Sequence, residues 1–352
     1  MPGKKNRQAD ERRPLRKGWT TGACATAAVR AAYGALLTGR FEDPVTITLP
    51  GGETPSFALR ETGLSGGTAS AAIVKDAGDD PDVTHGALIR ASLRAGKPGT
   101  GVSFRAGDGV GTVTLAGLPI GVGEPAINPA PRRMMTQVVT QLAARHGAPG
   151  DIEITISVAA GEKLAERTMN ARLGIIGGLS ILGTTGLVTP DSCAAWIATI
   201  HQGVDVARAA GLGHVAGATG KTSERAVRAL YGLDELALLE MGDFAGALLK
   251  YIRRHPLARL TVAGGLAKIS KLASGHMDLH SGRSEVDIAA LAGHLSDLGG
   301  APEIVAEARA ADALLGAGRD AGAMMGLPIS VKDIYGVDGM PTFAGTPKEM
   351  PE

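Results

Sequence analysis

The stretch His214-Val-Ala-Gly-Ala-Thr-Gly-Lys-Thr-Ser-Glu-Arg-Ala-Val-Arg-Ala-Leu-Tyr231 decides the fold of the second half of this chain. His214-Val-Ala216 is short and apolar, Gly217-Ala-Thr-Gly-Lys-Thr222 is a glycine-rich turn, and Ser223–Tyr231 has helical spacing. The same order recurs downstream. Strand Leu236–Glu240 precedes helix Phe244–Arg254, and strand Leu260–Ala263 precedes helix Leu266–Leu272. Upstream, Ile152–Val158 alternates as a strand, and Asp191 or Ser192 caps a helix running to about Ala210. This rhythm predicts a mostly parallel sheet covered by helices. Ligands of such sheets bind beyond the carboxyl ends of the strands, beside glycine-rich turns. Gly217–Thr222, Met241-Gly-Asp243, and Gly264-Gly265 leading to Lys268 and Lys271 are the turns that qualify.

The first half mixes helices with short strands and reads as an α+β domain. Thr20 or Thr21 caps a helix to about Leu37, with Gly39 as its stop, and Pro131 starts another to about Arg145. Strands are expected at Val45–Leu49, Ser56–Leu59, Ala69–Val74, Leu88–Leu93 and Val110–Leu115. The expected layout is a disordered arm over 1–14, an α+β domain over 15–150, an α/β domain over 151–301 and a tail over 302–352.

Composition narrows the class. The chain has 352 residues, 44% of them hydrophobic but only 3% aromatic, so the core is built from Ala, Val, Leu, Ile and Gly. A net charge of +1 argues against a nucleic-acid binder driven by bulk electrostatics. Cys24 and Cys193 are the only cysteines, too few for a disulfide framework or zinc finger, which points to a reducing cytoplasm. No uncharged apolar run reaches the roughly 18 residues of a membrane span, and Met1–Arg7 has no apolar stretch behind it to make a secretory signal.

Lys75-Asp-Ala-Gly-Asp-Asp-Pro-Asp-Val-Thr-His-Gly86 gathers four carboxylates, a lysine and a histidine in a loop after an apolar strand, where sites are usually built. A solvated acidic turn is the plainer reading of the same residues. Gly217–Thr222 resembles a phosphate loop, but Val215 stands where that loop needs a glycine. His276 and His280 have the i,i+4 spacing of helical metal ligands, yet Gly275 and Gly282 oppose a helix and no third ligand is evident, so no resident metal is expected. Cys24, among alanines, reads as a small packed residue.

The order of the blocks is more specific than any one of them. Gly18-Trp-Thr-Thr-Gly-Ala-Cys-Ala-Thr-Ala-Ala28, Lys75–Gly86, Gly123-Glu-Pro-Ala-Ile-Asn-Pro-Ala-Pro-Arg132, Leu182-Gly-Thr-Thr-Gly-Leu-Val-Thr-Pro190, Gly242-Asp243 and Lys268–Ser281 together resemble the cobalt-precorrin-5B C(1)-methyltransferase family of cobalamin biosynthesis, from about Arg16 to Ala301. The resemblance implies methyl transfer from S-adenosyl-L-methionine to C1 of a cobalt-bound tetrapyrrole, giving cobalt-precorrin-6A, with cobalt present only in the substrate. On this reading Asp79, Asp80 and His85 are candidates for a general base. Thr184, Thr185, Gly186, Gly217, Gly220, Gly242 and Asp243 are candidates for the methyl donor. Thr20, Thr21, Lys75, Asp76, Arg132, Arg133, Lys268, Lys271, His280 and Arg283 are candidates for the polycarboxylate substrate. A homodimer is allowed; nucleic acid and membrane are not expected partners. A non-catalytic tetrapyrrole carrier is the competing reading.

From about Glu307 the resemblance changes. Gly326-Leu-Pro-Ile-Ser-Val-Lys-Asp-Ile-Tyr-Gly336 and the residues to Thr346 are similar to the N-terminal part of amidase-signature hydrolases, with Lys332 at the position of their catalytic lysine. The two catalytic serines are absent from the sequence to Glu352, so no amidase activity is expected. A fusion fragment without methyltransferase activity is the corresponding alternative, and residues after about 307 are expected to be loosely ordered.

Overall fold

The computed structural model describes residues 14–190, 192–299, 302–303 and 330–333. The chain divides into two compact units, one ending at Cys193 and one beginning at Ala194. The sequence reading placed this division at 150/151. The difference has a simple cause: Ile152–Val158 pairs with strands of the first unit on both sides. The expected arm to Pro14 and the looseness expected after Glu307 lie outside the described residues, apart from Pro14 itself and Ser330–Asp333.

The first unit opens with β1 (Gly18–Trp19) and α1 (Thr21–Thr38). Short strands β2 (Val45–Thr46) and β3 (Ser56–Phe57) follow, then β4 (Glu61–Ser65), β5 (Thr68–Val74), β6 (Leu88–Ala95), β7 (Val102–Ala106) and β8 (Thr112–Val113). Next come α2 (Pro129–His146), β9 (Ile152–Val158), α3 (Gly161–Ala165), β10 (Ile175–Ile176) and β11 (Leu187–Val188). The main sheet has the order β4-β5-β6-β9-β7 and is mixed, since β7 runs parallel to β9 while the other neighbours are antiparallel. In β9, Ile152, Ile154, Ile156 and Val158 are buried, while Glu153, Thr155 and Ser157 face the more open side. That alternation presents one apolar face to the helices.

α1 packs on that face and on α2. Its caps are those the sequence marks: Thr20 Oγ1 accepts from Ala23 N–H, and the Gly39 N–H closes on Ala35 O. Small residues let it sit deep, and Ala23, Cys24, Ala27, Ala28 and Ala31 are all at most 1% exposed. A helix apolar on every side belongs in a core. Elsewhere the strand expectations need correction. Val45–Leu49 shrinks to Val45–Thr46, because Ile47 and Leu49 bond irregularly to Pro55 and Glu53. Ser56–Leu59 shortens to Ser56–Phe57, and Val110–Leu115 to Thr112–Val113. β4 and β7 carried no clear local signal.

The second unit contains α4 (Ala194–Ala209), β12 (His214–Ala218), α5 (Lys221–Tyr231), β13 (Leu238–Glu240), α6 (Ala245–Arg254), β14 (Arg259–Gly264), α7 (Leu266–Ala273), α8 (Ile288–Asp297) and β15 (Ser330–Asp333). β12 lies between β13 and β14 and is parallel to both, while β15 is antiparallel to β14. The sheet is therefore mixed, with a parallel centre. Val215, Leu239, Leu260 and Val262 join Ile200, Val204, Leu248 and Ile252 of α4 and α6 in one cluster. Ala216, Leu238 and Ala263 join Val227 of α5 in another. Helices thus cover both faces, and strands buried on both faces need no polar alternation. α8, capped by Asp287 on Ala290 N–H, is an element the sequence reading missed.

Candidate active site

In the first unit the loop Lys75–Gly86 is strapped to the segment before α1. Trp19 N–H donates to Asp76 O at 2.7 Å, Asp79 N–H to Arg16 O at 2.9 Å, and Arg16 N–H to Asp79 Oδ2 at 2.6 Å. The Arg16 guanidinium forks onto both oxygens of Asp76, which also accepts from Gly78 N–H. The Arg16 bond and then the Gly78 bond hold the Asp76 carboxyl down to about 2. Lys75 is 1% exposed, and its ammonium meets Asp82 at 2.7 Å. Burial pushes the Asp82 carboxyl up, but the bonds from Lys75 and Thr84 outweigh it, and its net shift is downward.

The imidazole of His85 is exposed, yet its Nδ1 accepts the N–H of Ala77 at 3.1 Å. A ring nitrogen that accepts carries no proton, so the neutral ring holds its proton on Nε2. With Nδ1 held by that bond, Nε2 is the ring nitrogen left to face anything bound beside it. Asp79 is exposed, and its Oδ1 takes no hydrogen bond among the described residues. Asp80 is half-buried.

Residues 182–186 meet the start of α1. Gly22 N–H donates to Leu182 O, Thr20 N–H to Gly186 O, and Leu182 N–H to Thr21 Oγ1 at 2.9 Å. Gly183 has φ +121°, and a Cβ there would fall 2.3 Å from Thr20 Oγ1, so only glycine fits. Thr20 and Thr21 are 6% and 3% exposed, with hydroxyls used in the cap and on Leu182. Thr184 is exposed, while Thr185 turns its hydroxyl to Leu187. Cys24 is buried, which pushes its thiol up to about 12 and leaves it a packing residue.

Several sequence candidates are engaged within the protein. Lys75 is buried, with its ammonium on Asp82. Arg132 is spent on Ile127 O, Pro125 O and Glu124, latching the loop before α2. Arg133 is exposed near the start of α2 and faces no such demand.

In the second unit the parallel register brings the ends of β12, β13 and β14 to one edge. Met241 and Gly242 N–H both donate to Ala218 O, and Thr219 N–H donates to Ala263 O. Gly220 caps α5 there, and Gly242, at φ +56°, makes the turn after β13. Asp243 accepts from Lys268, so that lysine is paired within the protein. Gly217 lies inside β12, where a Cβ would strike Leu248 at 2.4 Å, a packing role rather than a turn.

The loop after α7 folds over this edge. Leu279 N–H donates to Asp243 O, and Gly246 N–H to Met277 O. Lys271 is 6% exposed and donates to Leu279 O at 3.3 Å. His276 and His280 are in this loop, not on a helix, and His280 Nδ1 accepts from Gly282 N–H. Arg283 pairs with Asp278 at 2.7 Å and lines a cavity of about 570 Å³ with His276 and Ser284. Among the described residues no three His, Cys, Asp or Glu side chains gather as a metal site, and no helix is long and apolar enough to cross a membrane. Sequence reasoning missed Trp196, which lies against Gly242. The one available signal was its rarity, since the chain has two tryptophans.

The family model described as CbiD matches residues 8–190, more than half of the chain. A protein of Paramagnetospirillum magneticum named cobalt-precorrin-5B C(1)-methyltransferase is 61% identical over 307 residues, 87% of this chain and 86% of that protein. One of the same name from Brucella anthropi is 62% identical over 296 residues, covering 84% and 80%. A solved structure described as cobalamin biosynthesis protein (cbiD) from Archaeoglobus fulgidus has 25% identity and a TM-score of 0.41, covering 76% of this chain and 83% of that one. On the extent of the family match and the identity to its curated relatives, this chain belongs to the CbiD family.

Proposed function

We propose that this chain methylates C1 of cobalt-precorrin-5B, with S-adenosyl-L-methionine as methyl donor. The observation that carries this reading is 61% identity over 307 residues to a relative bearing that enzyme's name. The glycine-rich edge of β12, β13 and β14 suits the donor, since backbone turns beyond parallel strands admit close approach and Asp243 sits at a strand end. Gly220, Gly242 and Asp243 are the residues proposed to hold it. Thr184, Thr185 and Gly186, the other part of the expected donor site, belong to the first unit.

The donor supplies an electrophilic methyl on a sulfonium. The protein's contribution is to hold the reacting carbon in line and exclude water, an effect that supplies roughly 7–11 kcal/mol in well-oriented systems. The Lys75–Asp82 pair and the Arg16–Asp76 fork fix the loop that presents Asp79, Asp80 and His85. Asp79 Oδ1 is the proposed acceptor for a proton leaving the macrocycle, and His85 Nε2–H the proposed donor to a peripheral carboxylate. Arg133 is proposed to pair with another such carboxylate.

The test is a mass spectrum of cobalt-precorrin-5B after incubation with the protein and donor bearing a deuterated methyl. Gain of one labelled methyl, located at C1 by NMR, supports the reading. Tetrapyrrole binding with neither donor binding nor methyl transfer supports the carrier alternative instead.

A further inference from the structure

Trp196, at the start of α4, is 46% exposed in a chain whose aromatic content is 3%. Its position is fixed on three sides. The indole N–H donates to Glu240 O, the last residue of β13, at 2.9 Å. The ring lies on the turn that follows, so that a Cβ on Gly242 would sit 3.1 Å from Cζ2 and 3.4 Å from Cε2. Phe244 meets the ring edge-on, with centroids 6.1 Å apart and planes at 61°. An exposed indole held this firmly loses little entropy when a flat ring stacks on it.

We propose that Trp196 is the stacking platform for the adenine ring of the methyl donor. The inference rests on the methyltransferase reading and extends it to a residue outside the sequence motifs. Two features favour a purine over the macrocycle. The neighbouring side chain in the turn is Asp243, whose Oδ1 is held by Lys268 and whose Oδ2 is placed to accept from a ribose hydroxyl. The platform is one indole wide, which matches a bicyclic base and not a puckered macrocycle. Gly242 is the residue that lets the ring lie against the backbone, since any side chain there would meet Cζ2.

The experiment titrates the full-length protein with S-adenosylhomocysteine, adenosine, methionine and uroporphyrin, by calorimetry and tryptophan fluorescence. Adenosine and S-adenosylhomocysteine quench the wild-type emission, and methionine does not. W196L, which keeps bulk but removes the π face, weakens S-adenosylhomocysteine by about 5- to 150-fold, the range of aromatic–base stacking. W196F, which keeps a stacking face, stays within about threefold of wild type, and its binding also shows that the unit folds without the indole. Unchanged S-adenosylhomocysteine affinity in W196L overturns the platform and leaves the donor site intact. Loss of uroporphyrin affinity alone in W196L overturns the adenine assignment in favour of the macrocycle. Failure of the wild-type protein to bind S-adenosylhomocysteine at all overturns the donor site and the platform together.

Discussion

Lys75 spans the neck of its own loop to reach Asp82 at 2.7 Å, and the two partners differ sharply in exposure, 1% against 26%. Removing Asp82 strands the more deeply buried charge. D82A is therefore the worse variant, costing about 3–5 kcal/mol, with K75M near the lower end of that range because water can reach the remaining carboxylate. Urea melts with unchanged m-values check the order of the two. Equal losses would show that the pair is not asymmetric in the way its exposure demands.

The same loop sets an acid limit. Asp76 is held near 2 by Arg16 and Gly78, and the net shift of Asp82 is also downward, since the bonds from Lys75 and Thr84 exceed the opposing effect of burial. Carboxylates with folded values below the unfolded value of about 3.9 contribute stability that is fully present above that pH. It is lost as pH falls through the folded values. The contribution of these two carboxylates is expected to be flat from pH 7 to 5 and to fall between about 4 and 2. R16A, by releasing Asp76, is expected to flatten the fall; an unaltered slope would place the acid sensitivity elsewhere.

His85 gives a sharper kinetic expectation. Its Nδ1 is occupied by Ala77 N–H, so proton abstraction through Nε2 would require the opposite tautomer and the loss of that bond. Nitrogen NMR of the imidazole is expected to show a pyridine-like Nδ1. H85N keeps an acceptor for Ala77, but its amide N–H falls short of the place where Nε2–H points, and it is expected to raise KM for the tetrapyrrole about tenfold or more with kcat nearly unchanged. A kcat loss of about 100-fold or more at constant KM would instead mark proton transfer.

Gly183 and Thr20 are coupled by contact. G183A places a methyl within 2.3 Å of Thr20 Oγ1 and forces alanine to φ +121°, an expected cost of about 2–4 kcal/mol. T20G alone removes the α1 side-chain cap for a few tenths of a kcal/mol, since glycine is itself a tolerated cap residue. The double variant G183A/T20G is expected to lose less than the sum, because the clash partner is gone. Strict additivity in thermal or urea melts would show that the two residues do not share the strain.

Local features were legible in the sequence and non-local ones were not. The alternation of Ile152–Val158 and the caps at Thr20 and Gly39 lie in the sequence because each is set by residues a few positions apart. The end of the first unit is not, because Ile152–Val158 takes its neighbours from residues about 50 to 70 positions upstream. Residue type located the polar loop at Lys75–Gly86, but burial assigned the roles within it. Thr20, Thr21 and Lys75 have the chemistry of ligand contacts and the exposure of core residues. Trp196 shows the converse: one exposed ring leaves no periodic trace, and its meaning comes from Gly242, 46 positions away.

The alanine-lined helix has an evolutionary consequence. Of the 18 residues of α1, 13 are buried, most of them Ala, Gly or Thr, between a sheet and a second helix. Such a helix has no room to exchange one side chain for a larger one without moving both neighbours, and overpacking of this kind costs about 1–3 kcal/mol per site. Drift in this lineage is therefore channelled away from the segment that carries the Thr20 and Thr21 contacts. Mutational scanning would find α1 intolerant along nearly its whole circumference, where an ordinary amphipathic helix tolerates change on one side.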